Sequence, residues 1–226
     1  MTTFSKKEAI NFGWEKVKSN ILYFAGITLV IIAAPYVVQW VLDAMFATFY
    51  IALSLPRDTL YLASLPGGIA SAIVSLVLSI GMVRFLLHVV DGKTAKASDL
   101  YDTSRKEVLR YLLGSIIYTL ITLVGFLLLF VPGIIFSIKY SFYNFFIIDK
   151  GLPATDAIRA SGEITKGNKW NLLLFGLLLG LINILGVVAL ILGLFITIPL
   201  TWIANAYIYR KLSTGYTYTP SKERLA

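Results

Sequence analysis

No charged side chain interrupts residues 170–209, which read WNLLLFGLLLGLINILGVVALILGLFITIPLTWIANAYIY. At about 1.5 Å per residue, one helix of these 40 residues would be roughly 60 Å long, twice the thickness of a bilayer's hydrocarbon core. The chain must therefore turn back inside this stretch. Gly193 loosens a helix, and Pro199 cannot lie in a helix interior without loss of a hydrogen bond. We therefore predict two spans here, at residues 170–193 and 197–212.

Three more stretches without charge have the length of a membrane span, at residues 19–42, 59–83 and 111–138. The last continues beyond Lys139 into a further apolar segment, and Pro132 inside it is favoured at the start of a new helix. Helices are expected rather than strands, because open strand edges find no hydrogen-bond partners in lipid. We therefore predict an all-α integral membrane protein with six transmembrane helices, at residues 20–42, 67–90, 111–131, 133–149, 170–193 and 197–212.

The composition excludes several classes of protein. Apolar residues make up 58% of the 226 positions, charged residues only 14%, and the mean hydropathy is +0.79. A water-soluble globule of this size could not bury so many apolar side chains, because much of its surface must meet water. A cytosolic enzyme and a disordered chain are thus excluded. The lack of cysteine excludes a disulfide scaffold and a thiolate metal site.

Basic residues are concentrated on one side of the six-span arrangement. Of the 20 lysine and arginine residues, 17 lie in the N-terminal arm, the loops at 91–110 and 149–169, and the C-terminal tail. Only Arg57 lies in a predicted outer loop. Positive residues remain in the cytoplasm. We therefore predict a single polytopic domain over residues 1–226 in the bacterial cytoplasmic membrane, with both termini cytoplasmic and residues 213–226 as a short tail.

Three predicted cytoplasmic segments each lead into a pair of spans. In the second segment, Ser104 and Glu107 have the spacing of a capping box, in which each side chain bonds the other residue's backbone N–H. Asn20 and Gly167 are expected to separate the first and third segments from the spans that follow. The predicted fold is therefore three helical hairpins, each preceded by a cytoplasmic amphipathic helix.

No catalytic or metal-binding pattern is recognisable in the sequence. All twelve acidic residues lie outside the six predicted spans, whereas an intramembrane protease or a carboxylate proton relay needs acids inside the bundle. His88 is the only histidine, which excludes a HExxH zinc site. Neither a G-x-S-x-G nucleophile elbow nor a phosphate-binding loop is present. We therefore expect a protein that is not an enzyme and that uses no cofactor.

Lys139 is the most informative single residue, because it lies within the predicted fourth span. A charged ammonium in lipid costs several kcal/mol, so this side chain should face the bundle or a wet cavity. One interpretation is a contact for an anionic substrate or a lipid phosphate. The other is that the long stem carries the charge to the outer interface. Arg84, Lys166 and Lys169 are the other candidate contacts for an anion or a lipid.

Polar side chains also lie within the predicted spans, namely Gln39, His88, Asn183 and Asn205. Each could line a solute path, but hydrogen bonding between helices is the commoner use. His88 shares a helix face with Arg84, and both a proton switch and an ordinary interfacial histidine remain open there. Gly176, Gly180 and Gly186 permit close helix approach, the first two at the spacing of the small-residue packing motif, and we expect them to pack against another helix of the same chain.

Four segments of the chain resemble a broad group of bacterial multispan proteins, namely VPGI at 131–134, FFIIDKG at 145–151, AIRAS at 157–161 and KGNKW at 166–170. The group includes proteins labelled glycerophosphoryl diester phosphodiesterase membrane domain and similar six-span proteins of unknown function. The resemblance covers roughly residues 125–212 and implies the six-span architecture, but no activity. Some members are fused to a hydrolase. Because only residues 213–226 follow the last predicted span, we expect no hydrolase in this chain.

The charge pattern favours a non-enzymatic protein that organises the membrane or assists other proteins. Each basic residue near an anionic leaflet contributes about 1 kcal/mol, so anionic phospholipids are the expected partners, together with a partner protein or a second copy. The alternative is a small carrier or channel for an anionic or amphiphilic solute, with Lys139 near its path. Nucleic acid is not expected, because the sequence contains no basic groove lined with aromatic residues.

Overall fold

The computed structural model describes residues 4–54, 56–189 and 192–216, and within these ranges the chain is helical and contains no strand. The helices are α1 (Lys6–Ser19), α2 (Ile21–Ala52), α3 (Leu65–Val90), α4 (Arg105–Leu128), α5 (Phe130–Lys139), α6 (Tyr143–Lys150), α7 (Ala154–Ile164), α8 (Lys169–Val188) and α9 (Leu194–Ser213). Short 3₁₀ helices at Arg57–Ser64 and Ala97–Leu100 precede α3 and α4.

Within the described ranges, five segments are long and apolar enough to cross a membrane, which confirms a membrane protein with transmembrane helices. They are Ile21–Ala52, Tyr61–Val90, Arg105–Leu128, Phe130–Lys150 and Lys169–Val188. Large apolar side chains project from these segments instead of being buried. Leu22 is 87% exposed and Leu127 is 77% exposed. Such a surface suits hydrocarbon and not water.

Helix α2 continues past its predicted end at residue 42 and includes Asp43. The carboxylate of Asp43 lies against the backbone at Gly67, near the N-terminus of α3, where the space is open only because Gly67 has no side chain. A helix N-terminus carries partial positive charge, so it is a favourable neighbour for a carboxylate. Helix α2 is therefore longer than the predicted first span, and Asp43 lies in the part of the helix beyond that span.

The fourth predicted span, 133–149, is not one continuous helix. Helix α5 ends at Lys139, and α6 begins at Tyr143 after a turn. Backbone groups freed at this break are bonded by side chains of α7. The Ser161 hydroxyl accepts the Phe142 N–H at 3.0 Å, and the hydroxyls of Ser161 and Thr165 both donate to the Lys139 carbonyl at 3.0 Å. These bonds make the break tolerable, because an unsatisfied backbone group in lipid costs several kcal/mol.

Helix α9 occupies the centre of the bundle and packs against α1, α2, α3 and α8. Its side chains at Ile203, Ala206 and Tyr209 have no exposed surface. Because protein surrounds α9, the helix does not need a strongly apolar outer face. This position explains why α9, the sixth predicted span, is not one of the five strongly apolar segments named above.

A separate α-helix precedes α2 and α8, but only the short 3₁₀ helix Ala97–Leu100 precedes α4, so the expected threefold pattern is incomplete. Asn20 separates α1 from α2, and its side chain accepts the Tyr23 N–H at 3.4 Å, as predicted. Gly167 has a φ of +83°, where the chain turns between α7 and α8. Helix α4 begins at the predicted Ser104–Glu107 capping box and continues without such a break to Leu128.

Gly81 allows the close packing of α3 on the 3₁₀ helix Ala97–Leu100, since a Cβ at Gly81 would collide with the Leu100 backbone. We expect Gly81→Ala to destabilise the protein by about 1–3 kcal/mol, because that backbone has no room to shift. Gly68→Ala in the same helix is the control, because a Cβ at Gly68 meets no atom within 4 Å. Thermal unfolding in detergent measures both. Equal melting temperatures for the two variants would contradict this account of α3.

Candidate functional site

Lys139 lies at the end of α5, beside the break, and its side chain faces α7. A Cβ at Gly162 would lie 3.1 Å from the Lys139 Cε, so this glycine leaves the space in which the lysine stem lies. The ammonium nitrogen is 4.8 Å from the centre of the Tyr140 ring, a favourable cation–π distance. The helix break therefore places Lys139 at the edge of the bundle and not in the middle of a straight span.

Lys139 shares a cleft of about 500 Å³ with α7 and the start of α8. Its basic lining residues are Lys139, Arg159, Lys166 and Lys169, and Glu163 is the acidic one. We call this space the cationic cleft. Among the residues that the structure describes, Lys139, Lys166 and Lys169 form no ion pair with a carboxylate. Three of the four predicted anion contacts are thus brought together, and Arg159 was missed.

Arg84, the fourth predicted anion contact, lies elsewhere and is paired. Its guanidinium donates to the Glu107 carboxylate at 2.6 Å, which connects α3 to the start of α4. One turn further along α3, the His88 Nδ1 lies 2.9 Å from the Asp99 carboxylate. Both contacts tie α3 to the segment that leads into α4. These two predicted site residues therefore have structural partners.

The pKa of Asp99 lies below its usual value. Burial alone would raise it, but a hydrogen bond from the Lys96 N–H and the contact with His88 together outweigh burial. A lowered carboxyl pKa means that the folded state favours the ionised form. The stabilisation is therefore present above about pH 4 and is lost as the pH falls through the pKa of the folded protein.

Arg210, near the end of α9, joins three helix ends. Its Nε and Nη2 donate to the two carboxylate oxygens of Asp91 at 2.7 Å each, and its Nη1 donates to Asp149 at 2.7 Å. The Tyr209 hydroxyl also donates to Asp149 at 2.7 Å. The sequence analysis did not predict this cluster, although all three charged residues lie at predicted span ends on the same side of the membrane.

Asn205 lines a second space, a cavity of about 320 Å³ between α3, α4, α9 and the helix break. We call it the inner cavity. Its polar lining includes Ser79, Tyr111 and Asn144 as well. The Asn205 amide donates to the Thr201 carbonyl at 2.8 Å. Lys139 does not line this cavity.

The remaining predicted polar residues lie between helices. Asn183 donates to the Thr201 hydroxyl at 3.1 Å, which joins α8 to α9 as an interhelical hydrogen bond. The main-chain carbonyl of Gln39 faces Gly67, so Gln39 lies where α2 crosses α3. The packing prediction is wrong for Gly176 and Gly180, because a Cβ at either position would meet no atom within 4 Å. Both glycines face an open groove and not a packed helix. The packing prediction is confirmed for Gly186, where a Cβ would collide with the Thr197 hydroxyl of α9.

Arg210 allows a direct test of the three-helix cluster. We expect Arg210→Lys to destabilise the protein by about 1–3 kcal/mol, because a lysine cannot donate in the forked geometry that holds two carboxylates. Arg105→Lys is the control, since Arg105 is exposed at the start of α4. Thermal unfolding in detergent gives the comparison. An Arg210→Lys protein that melts with the control would show that the fork is dispensable.

Comparisons with known proteins find uncharacterised relatives. The chain is 26% identical over 236 residues to the uncharacterized protein Rv2560 of Mycobacterium tuberculosis (strain ATCC 25618 / H37Rv), and the match covers 94% of this chain and 70% of the relative. The uncharacterized protein Mb2590 of Mycobacterium bovis matches with the same identity and coverage. No family model matches the chain, and no solved structure matches it. The resemblance to the glycerophosphoryl diester phosphodiesterase membrane domain therefore stays a prediction.

Proposed function

We propose that the chain crosses the bacterial cytoplasmic membrane six times, with α9 as the sixth span and both termini in the cytoplasm. The interhelical charge contacts support this topology. Arg210 bonds Asp91 and Asp149, so the ends of α3, α6 and α9 lie at one level. The loops rich in lysine and arginine adjoin these same helix ends, and such loops remain in the cytoplasm.

Single cysteines test this topology, because the natural chain has none. Ser54 is exposed after α2, and Thr94 is exposed after α3. In intact cells, we expect a membrane-impermeant maleimide to label Ser54→Cys but not Thr94→Cys until the membrane is opened. The reverse pattern would contradict the proposed orientation. Labelling of both positions in intact cells would place them on the same side of the membrane, and this result would contradict the single crossing by α3 between them.

We further propose that the protein is not an enzyme and that it organises the membrane or assists other proteins by binding anionic phospholipid. The cationic cleft is the single observation that carries this proposal. Four basic side chains and one acidic side chain line it, and this excess of positive charge suits a phosphate. Near a low-dielectric membrane the attraction is stronger than it would be in bulk water.

The position of helix α7, with one face buried and the other over the cationic cleft, also supports the binding of anionic phospholipid. Its buried face includes Ala157, Ala160 and Ile164, whereas Arg159 is exposed over the cleft. We propose that α7 lies at the cytoplasmic interface as an amphipathic helix, where basic residues reach lipid headgroups. Its hydroxyls also hold the break after Lys139. The helix therefore both shapes the cleft and supplies part of its charge.

Lipid enrichment tests the proposal. In nanodiscs with equal amounts of phosphatidylglycerol and phosphatidylcholine, we expect the protein to retain phosphatidylglycerol preferentially after detergent exchange, as counted by native mass spectrometry. Lys139→Gln, Lys166→Gln and Lys169→Gln together should lower this preference about fivefold or more, because each lysine contributes about 1 kcal/mol.

The control variant removes the same amount of charge elsewhere. It carries Lys7→Gln, Lys18→Gln and Lys106→Gln, three exposed lysines outside the cationic cleft. We expect its preference to change little. An equal loss in both triple variants would assign lipid attraction to the overall basic surface and would contradict a specific cleft.

The inner cavity favours a second candidate function, a carrier for a small solute. It combines polar side chains with a broken helix, and discontinuous helices form the substrate sites of many transporters. Lys139 lies outside this cavity. A solute path through the cavity would therefore pass Asn144 and Asn205, and not Lys139 as the sequence predicted. Solute flux into proteoliposomes, compared between the natural protein and Asn144→Leu, distinguishes the carrier from the lipid-binding protein.

A further inference from the structure

An apolar groove runs between α5 and α8 and is open to the exterior. Its volume is about 590 Å³, and its lining includes Ile134, Leu173, Leu177 and Leu181. Gly176 and Gly180 form part of its floor, and a Cβ at either glycine meets no atom within 4 Å. The groove is therefore an unfilled space and not a helix contact.

The groove leads to the cationic cleft. A smaller apolar space of about 250 Å³ adjoins both of them, since it shares Lys169 with the cleft and shares Ile134, Ile138 and Leu173 with the groove. From Leu172 to Ile184 the groove follows α8 for about 18 Å, at 1.5 Å per residue. One leaflet of hydrocarbon is about 15 Å thick, so the groove is longer than one leaflet.

We propose that one anionic glycerophospholipid occupies this site, with its phosphate in the cationic cleft and one acyl chain in the α5–α8 groove. This proposal rests on the proposed lipid-binding function and names its ligand and its binding mode. A charged end that continues into an uncharged, lipid-facing channel matches the two parts of a phospholipid. A free phosphate would use only the cleft, and a neutral lipid would use only the groove.

Charge complementarity also favours this ligand over a second copy of the chain. If a second copy packed its own Gly176 and Gly180 face here in the same membrane orientation, its cationic cleft would lie at the same level. The lysines of the two clefts would then repel each other. An anionic headgroup instead neutralises the cleft.

A tryptophan reporter in the groove measures occupancy. Leu177 lines the groove about 12 Å along α8 from Lys169, at the depth of the middle of an acyl chain. The reporter is Leu177→Trp, in a background where all four natural tryptophans are replaced by phenylalanine. Phospholipids brominated midway along their chains quench a tryptophan on contact. Leu178→Trp, at the same depth but outside the groove lining, is the matched control.

We expect brominated phosphatidylglycerol to bind beside Leu177→Trp about fivefold more strongly than brominated phosphatidylcholine, because only the former has a net negative headgroup for the cleft lysines to attract. The control reporter should show a ratio near one. Gly176→Leu adds a side chain on the floor of the groove, at a position where a Cβ meets no atom within 4 Å, and should remove the preference. Gly26→Leu in α2 adds the same side chain at another open position and should preserve it. Equal melting temperatures of both leucine variants show that each is folded.

The outcomes separate this inference from the proposed function. If the lysine triple variant loses its lipid preference and Gly176→Leu does not, the cleft binds headgroups and the acyl groove is overturned. If the natural protein shows no preference for phosphatidylglycerol at all, both proposals are overturned. Competition by inorganic phosphate that equals competition by phosphatidylglycerol would identify a phosphate site and overturn the groove. A natural dimer that Gly176→Leu converts to a monomer would assign the groove to a second copy.

Discussion

Hydrocarbon provides no water to hydrogen-bond a backbone group and no counter-charge for an ammonium or a carboxylate. The break after Lys139 meets this constraint through α7, whose Ser161 and Thr165 hydroxyls bond the free carbonyl and amide. Without those bonds, the break would leave the Lys139 carbonyl and the Phe142 amide without these partners. Both the position of Lys139 and the shape of the cationic cleft therefore depend on two hydroxyl groups of a helix that follows later in the chain.

The same constraint determines where the ionic groups lie. Arg210 bonds Asp91 and Asp149, and Arg84 bonds Glu107, all near the ends of helices. Paired charges can be partly buried because each neutralises its partner. The lysines of the cationic cleft differ from these residues. They have no carboxylate partner among the described side chains, which is why a ligand with negative charge is the natural complement of that surface.

Helix α9 illustrates how burial in a membrane protein differs from burial in a soluble one. The helices that face lipid carry the exposed leucines and valines, whereas the central helix carries alanine, tyrosine and asparagine among its isoleucines. Protein surrounds α9 and bonds its polar groups, as Asn183 does with Thr201. A buried central helix can therefore carry polar side chains that a lipid-facing helix could not. The surroundings of the glycines differ in the same way. A neighbouring backbone leaves no room for a side chain at Gly81, whereas Gly176 faces open space.

The sequence by itself determined the class of protein, the approximate positions of five spans, the basic side of the molecule and the start of α2 at Asn20. These features depend on neighbouring residues, on local hydropathy and on total charge. Only the tertiary structure decided the break at residues 140–142, the central place of α9 and the Arg210 cluster. It also decided that Arg84 is paired with Glu107 whereas Lys139 lines the cationic cleft. Each of these features depends on a partner far away in the chain. A break that is stabilised from α7, or a lysine that lines the same cleft as Lys166, leaves no signal in its own neighbourhood.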